Sequence, residues 1–398
     1  MSLPNKSKHI LPETKLNGEL NKEIVIITGE LSGEIHAFHL IDELKHSFDF
    51  QFSGIGSSKL RDTGVNIVYD YKNISLTGLS EVFSKLHHIR DAFSRIKKHL
   101  RERKPSLLIL VDFPGFNMRI ARFAHNLGIP VIYFIPPQIW AWRKKRIYKI
   151  KKYVNKVICI LPFEKKIYED YLIDAVYAGH PYMEIVKPLH AREDFLRMAG
   201  IDGKGPVLTI MPGSRDNEIE KHMPILMDIV EAIEKKVENL KILLPLAENI
   251  DRKIVDKYRK ENIEITYLKG LAYDALTNSD LAIIASGSAT LEAAILGTPT
   301  IVIYKISALS YVFARLLVKI KYISLPNIIA GKEVFPEFIQ TFDVEKIAEK
   351  ALYMLSNGKE KIKTEIGNMK IKLGKENSYK MAAKTIIEFL EHTYGTLP

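Results

Sequence analysis

Several carboxylates, an arginine and a set of small-residue loops directly follow apolar runs in this sequence, and they carry the chemistry it can suggest. In "VDFPGFN" (111–117) Asp112 sits immediately after a strongly apolar run. A carboxylate at a strand's carboxyl end, on a cleft rim, can be tuned as a general base. The same place suits an Asx-type cap of the next helix through Asp112 or Asn117. "MPGSRDNEIEKH" (211–222) offers Gly213, Ser214 and Arg215 at a helix start, where guanidinium fork and backbone N–H groups converge on a phosphate or diphosphate. Pairing of Arg215 with Asp216 or Glu218 is the competing reading. "ASGSATLEAAILGTP" (285–299) is the most specific stretch. Ser286, Gly287 and Ser288 form a small-residue turn; Ala289 and Thr290 open an apolar helix with one carboxylate, Glu292. Glu292 is placed to accept hydrogen bonds from ribose hydroxyls while an anion rests on the loop and helix N-terminus. Its alternative is a carboxylate answering the helix dipole.

Other strand-end loops are less specific. "TGELSGEIHA" (28–37) holds Glu30, Ser32 and Gly33; its glycines allow close backbone approach to a ligand and Ser32 can cap the following helix, or the loop is a tight turn. "SGIGSSK" (53–59) is half of a dinucleotide motif. "YISLPNIIAGKEVFPEFIQ" (322–340) sets Asn327 and Gln340 in apolar surroundings. Histidines do not cluster at metal-ligand spacing, and H-E-x-x-H, D-x-D, G-x-S-x-G and the P-loop lysine do not occur, so neither metal nor cofactor is expected.

These loops need a frame that brings them together. The 398 residues, 46% hydrophobic, allow two full cores. Continuous apolar runs alternate with helical periodicity: "EIVIIT", "FSGIG", "LLILVDF", "VIYFI" and "KVICILP" form one set. After a polar interval at 186–205 come "VLTIMPG", "KILLPL", "IEITYL", "DLAIIASG" and "PTIVIY". Strands apolar on both faces, alternating with helices, predict parallel sheets. The expected division is a polar extension at 1–21, a first α/β domain at 22–190, a second at 206–345 and a helical tail at 346–398. Open α/β sheets bind ligands beyond their strands' carboxyl ends, so two facing sheets predict a cleft walled by the loops above.

The net charge of +11 favours anionic partners without choosing among nucleic acid, anionic lipid and phosphorylated small molecules. It concentrates in "IWAWRKKRIYKIKK" (139–152), which holds both tryptophans. Ile147, Ile150 and Val154 keep a helical spacing there, leaving the cations on the other faces. The single cysteine, Cys159, lies in an apolar run and excludes a disulfide framework within one chain. The N-terminus lacks an apolar signal core, and no run reaches the ~18 apolar residues of a spanning helix, so a cytoplasmic protein able to sit on a membrane surface is expected.

Taken together and in order, "GELSGEIH", "GIGSSKLRDTGV", "LTGLSEV", "DFPGFN", "PPQIWAWRKKRIYKI", "LPFEKKIYEDY", "AGHP", "MPGSRDNEIE", "ASGSATLEAAILGTP" and "LVKIKYISLPNIIAGKEVFPEFIQ" resemble the lipid-A-disaccharide synthase family over about residues 24–341. The resemblance implies an inverting GT-B glycosyltransferase: two Rossmann-like domains facing across a cleft, with C-terminal helices that cross back or swap between the protomers of a homodimer. It implies UDP-2,3-diacylglucosamine as donor and 2,3-diacylglucosamine 1-phosphate (lipid X) as acceptor. The products are a β-1,6-linked disaccharide 1-phosphate and UDP, made at the cytoplasmic surface of the inner membrane.

By position, Asp112 matches the family's base and Arg215 its arginine near the diphosphate. Gly213, Ser214, Ser286 to Thr290 and Glu292, with Asn327 and Gln340, fall on the UDP-sugar side. Glu30, Ser32, Gly33, Asn117, Trp142, Arg143 and Arg146 are the expected acceptor-binding or cleft residues. Arg143 or Arg146, near a helix start, is placed to meet the acceptor's phosphate; the competing reading is a solvated helix beside two packing tryptophans. Leu79, Val82, Phe83 and Leu86 are the expected membrane contact. Three features depart from the family: Gly115 replaces a second acid, Glu34 replaces a shorter aspartate, and the segment after "LTGLSEV" is less apolar than usual. Another GT-B enzyme, such as a UDP-N-acetylglucosamine 2-epimerase, and a basic nucleic-acid-binding protein are the alternatives.

Overall fold

A computed structural model of the protein describes residues 21–73, 86–141, 143–201, 203–247, 250–306, 321–356, 358–374, 377–395 and 397. Leu79, Val82, Phe83 and Trp142 therefore lie outside the described residues, and Leu86 is described only as the first residue of a helix.

The first sheet contains β1 (Glu23–Ile27), β2 (Gln51–Gly56), β3 (Asn66–Asp70), β4 (Leu107–Val111), β5 (Val131–Phe134), β6 (Lys156–Cys159) and β7 (Ala175–Tyr177). Its order is β3-β2-β1-β4-β5-β6-β7, all parallel. The second contains β8 (Val207–Met211), β9 (Lys241–Leu246), β10 (Ile265–Lys269), β11 (Leu281–Ala285), β12 (Thr300–Tyr304) and β13 (Glu337–Ile339), in the order β10-β9-β8-β11-β12-β13. It too is parallel throughout. The central strands β1, β4 and β11 are buried at every residue because helices cover both faces. Their continuous Val, Ile and Leu runs are what such a two-sided environment selects.

Strand order reverses between β1 and β4 in the first sheet and between β8 and β11 in the second. At such switch points the connections leave to opposite sides and open a crevice. All four of the most informative loops follow these strands: Gly29–Gly33 after β1, Asp112 after β4, Gly213–Arg215 after β8, and Ser286–Ser288 after β11.

β3, β7 and β13 have no counterpart among the expected strands. Each is an edge strand, paired on one side only and short or partly exposed, so it needs no continuous apolar run. The tail divides between the two sheets. Ile347, Ala351, Met354, Ile366 and Met369, from helices Val344–Ser356 and Lys359–Lys372, pack into the second core. The last helix, Ser378–Tyr394, crosses back: Tyr379, Ala382, Ile386 and Leu390 pack with Ile24, Leu40 and Ile109 of the first core. Within one chain the tail therefore crosses back onto the first sheet.

Candidate active site between the two sheets

A cavity of about 230 Å³ lies where the two sets of strand-end loops face each other, bordered by Gly33, His36, Asp112, Glu164, Tyr182 and Ser288. A larger concavity of about 480 Å³ lies elsewhere, against Asp280, Thr298 and Pro299 just before β11 and β12 begin. It sits at the strands' amino ends, away from these loops.

Asp112 ends β4 in a left-handed conformation, φ 45°, and Phe113 follows at 46°. Two consecutive non-glycine residues there are strained, by on the order of 1–3 kcal/mol each. Pro114 at the first helical position then starts the helix Pro114–Asn126. Burial and the neighbouring Glu30 carboxyl push the Asp112 pKa up to about 6, against the Phe113 backbone N–H, which favours the charged form. The second carboxyl expected to be missing from this loop is thus supplied by the β1 end. Glu30 itself accepts from the Ser32 hydroxyl at 2.8 Å. Gly115, where the family has an acid, is exposed and faces open space.

Asn117, expected on the acceptor side, is instead fully buried beneath the loop, donating from Nδ2 to the Asp112 carbonyl at 2.7 Å and to the Val111 carbonyl at 3.3 Å. Gly33 lines the cavity; a methyl group there would make only ordinary contacts with Thr28 and Val111. Glu34, one residue on, is fully buried and directed away from it. Its oxygens accept from Ser57 N at 2.5 Å, Ser57 Oγ at 2.7 Å and Tyr71 Oη at 3.0 Å. The arm lengthened from aspartate ties the first loop to the second strand's end.

After β8, Gly213 (φ 128°) needs to be glycine: a Cβ would come within 2.7 Å of Glu218. Ser214 N donates to Glu218 Oε2 at 3.0 Å and Arg215 Nη1 to Oε1 at 2.9 Å. Arg215 is mostly exposed, at 67%, so its competing pairing with Glu218 is the one formed here. Such an exposed pair is worth about 0–1 kcal/mol and is readily exchanged for an anion. His222 braces this loop: Nδ1 lies 2.9 Å from the Pro212 carbonyl, and Nε2 accepts from Lys305 N at 3.0 Å. That pair of partners sets the neutral tautomer with hydrogen on Nδ1.

After β11, Thr290 caps internally, its hydroxyl donating to the Gly287 carbonyl at 2.8 Å, while Ser286, Ser288 and Ala289 stay at least partly accessible. Ser288 lies beside both Glu292 and Tyr182, where its hydroxyl favours the ionised form of each. Burial raises the Glu292 pKa while the Ser288 hydroxyl opposes the shift. Asn327 and Gln340 turn to the backbone. Asn327, with no exposed surface, donates to Phe335 O and Glu337 Oε1 and accepts from Val334 N and Phe335 N. Gln340 exchanges two hydrogen bonds with the backbone of Ile306. Both shape the loops before and after β13.

In the basic segment, Ile147, Ile150 and Val154 are buried as their spacing requires. Trp140 Nε1 donates to Glu164 at 3.0 Å, and burial pushes the Glu164 pKa up to about 7 despite that bond and those from the Leu161 and Ile160 backbone. Arg146 begins the helix Arg146–Tyr153; its own burial, and then the nearby Arg143 guanidinium, lower its pKa. Glu164, His36, His180 and Tyr182 were not legible as site residues. Each lies on a helix or linker whose pattern reads as ordinary packing, and only the fold turns them to the cleft. Among the described residues, no group of three or more His, Cys, Asp or Glu could hold a metal ion, and no helix is long and apolar enough to cross a membrane.

Comparison with known proteins agrees with this geometry. The lipid-A-disaccharide synthetase family profile matches residues 24–389. The lipid-A-disaccharide synthase of Syntrophus aciditrophicus is 37% identical over 373 residues, covering 91% of this chain and 96% of that one. Among solved structures, a UDP-GlcNAc 2-epimerase from Neisseria meningitidis bound to UDP-GlcNAc superposes with a TM-score of 0.61 at 15% identity, covering 93% of this chain and all of that one. The calicheamicin glycosyltransferase CalG4 gives 0.60 at 12%, covering 93% and 98%. At such identities these two likenesses concern the fold, which is GT-B. By its sequence relatives and the span of the family match, the chain belongs to the lipid-A-disaccharide synthase family, glycosyltransferases of lipid A biosynthesis.

Proposed function

We propose that the protein joins UDP-2,3-diacylglucosamine to lipid X by a single inverting displacement, with Asp112 as the base. The observation that carries this reading is Asp112 itself: a carboxylate at the β4 end, bordering the cavity opposite Ser288, with a pKa of about 6 set by burial and Glu30. Near neutral pH such a group is mostly ionised yet basic enough to accept a proton. The acceptor 6-hydroxyl oxygen attacks the donor C1, the C1–O bond to the diphosphate breaks, and the hydroxyl proton passes to Asp112. UDP leaves with the bonding electrons.

Charge then accumulates on the diphosphate. Arg215, released from Glu218, and the helix N-termini after Gly213 and Gly287 are the donors suited to it, each worth a few kcal/mol. Glu292 serves the ribose, and Asn327 and Gln340 act on the nucleotide side by holding its loops. Glu30, Ser32 and Gly33 border the acceptor, and Trp142 is assigned to the same substrate. Two neighbouring guanidiniums, Arg143 and Arg146, suit the acceptor's phosphate, and their proximity supports that role. Acylated substrates place the work at the inner membrane's cytoplasmic surface. Leu79, Val82, Phe83 and Leu86 are the proposed contact, preceding in sequence the cations of the helix Leu86–Arg103.

The test is UDP release from the acylated donor with and without lipid X, using wild type and Asp112→Asn. Release that depends on lipid X and falls at least 100-fold in the variant is expected. Release without lipid X would point to donor-only chemistry such as epimerisation, and a variant of near-wild-type rate would remove Asp112 as base.

A further inference from the structure

We infer that Tyr133 and Asn117 form a buried clamp whose function is to position the Asp112 carboxylate. The inference rests on the reading of Asp112 as the base and adds two positioning residues to it. Asp112 and Phe113 both hold left-handed backbone angles. Such a pair persists only where its surroundings over-determine it. Here the surroundings are few and specific.

The Tyr133 hydroxyl, from β5, donates to the Asp112 carbonyl at 2.7 Å. Asn117, one helical turn on, donates to the same oxygen at 2.7 Å. Two donors thus converge on the carbonyl of the residue whose side chain faces the cavity. From the other side, the Phe113 ring packs against Gly29, where any Cβ would collide with it, and stacks on Phe116 with centroids 5.4 Å apart. Backbone N–H groups of Phe116 and Asn117 close the turn onto the Phe113 carbonyl at 3.2 and 3.0 Å.

Neither clamp residue can touch a substrate, since both have no exposed surface. Tyr133 packs in the first core, where burial pushes its pKa far up and keeps the hydroxyl a donor. Asn117 also reaches the Val111 carbonyl at 3.3 Å, so the amide holds the strand end on both sides of the peptide that leads into Asp112. The clamp fixes the direction of the Asp112 Cα–Cβ bond, because that bond rotates with φ and ψ. Loss of either donor lets Asp112 relax to an ordinary extended or helical angle, swinging the carboxylate out of the cavity and away from Glu30.

Tyr133→Phe removes one oxygen and leaves the aromatic core intact. Its kcat is expected to fall at least 10-fold with KM for the UDP-sugar within twofold of wild type. The acid limb of the pH–rate profile should move to lower pH, because a carboxylate freed from burial and from Glu30 ionises more easily. In an Asp112→Asn background the same change should cost nothing further, since the two residues act as one unit. If Tyr133→Phe does not fold, Asn117→Ser reads the same quantities. Failure of the base reading shows as an active Asp112→Asn. Failure of the clamp shows as an inactive Asp112→Asn beside a Tyr133→Phe with wild-type kcat and an unmoved acid limb, whatever its melting temperature.

Discussion

A single carboxylate becomes useful here through what surrounds it. Asp112 could be picked out in the sequence because it ends an apolar strand, but its neighbour Glu30 ends a different strand and no pattern links the two. Burial and Glu30 together raise the Asp112 pKa to about 6. Glu30→Gln removes the like charge while keeping size and polarity, so Asp112 ionises at lower pH. The acid limb of kcat/KM should shift down in pH, and the plateau rate should fall severalfold because the base is weaker. An acid limb that stays in place would mean burial alone sets this pKa. Asn327 shows the same limit: an amide in apolar surroundings needs partners, and sequence does not tell a ligand from a backbone carbonyl.

Helices and strands set which loop residues are free to act. "SGIG" looks like part of a nucleotide motif, yet a Cβ at Gly54 would collide with the Ile26 carbonyl, so this glycine permits close pairing of β1 and β2. Glu34 works at the same level, joining the first helical turn after β1 to Ser57 and Tyr71. Glu34→Ala leaves buried donors without an acceptor, at about 1–3 kcal/mol each. A loss of about 3 kcal/mol in urea unfolding, with an unchanged m-value, is the expected outcome. A loss below about 1 kcal/mol would show that water takes the carboxylate's place. Strand interiors were legible from their apolar runs, whereas β3, β7 and β13 were not, since an edge strand is only half enclosed.

At the scale of the whole molecule, the linker and tail hold the first domain to the second through a buried cluster. His36 Nδ1 lies 2.8 Å from Tyr379 Oη, Tyr182 N donates to His180 Nδ1 at 3.1 Å, and Glu184 accepts from Ser378 N at 2.6 Å, at the start of the last helix. Burial lowers the pKa of His36 to about 4, helped by His39, and that of His180 to about 3, helped by His36. Folded values below the ordinary 6.5 mean that the unfolded chain binds protons first. Stability is therefore complete above about pH 6.5 and declines as pH falls toward 4, by up to about 1.4 kcal/mol per pH unit for each histidine. Urea midpoints at pH 7.5 and 5 should reveal this, and His36→Leu should flatten the slope. An equal slope in that variant would place the acid sensitivity elsewhere, for example at His180. Glu23 acts only at more acidic pH: the hydrogen bonds of Ser53, Arg103 and His99 outweigh burial and lower its pKa, so its protonation costs stability below the ordinary carboxylate range.

By itself, the sequence determined the class of fold and the loops that matter. Both follow from local rules: short apolar runs alternating with helical periodicity read as parallel strands covered on both faces, and small residues or lone charges after such runs fall at strand ends. The tertiary structure alone decided which of those residues meet. Glu30 beside Asp112, Tyr133 under the Asp112 carbonyl, and Tyr182 against Ser288 depend on strand order and on how the two sheets face each other. Those relations bring together residues distant in the chain, and side-chain partners, pKa values and backbone strain are properties of such meetings. The last helix makes the same point. The sequence showed a helical tail, but that its last helix packs on the first sheet is seen only in the fold.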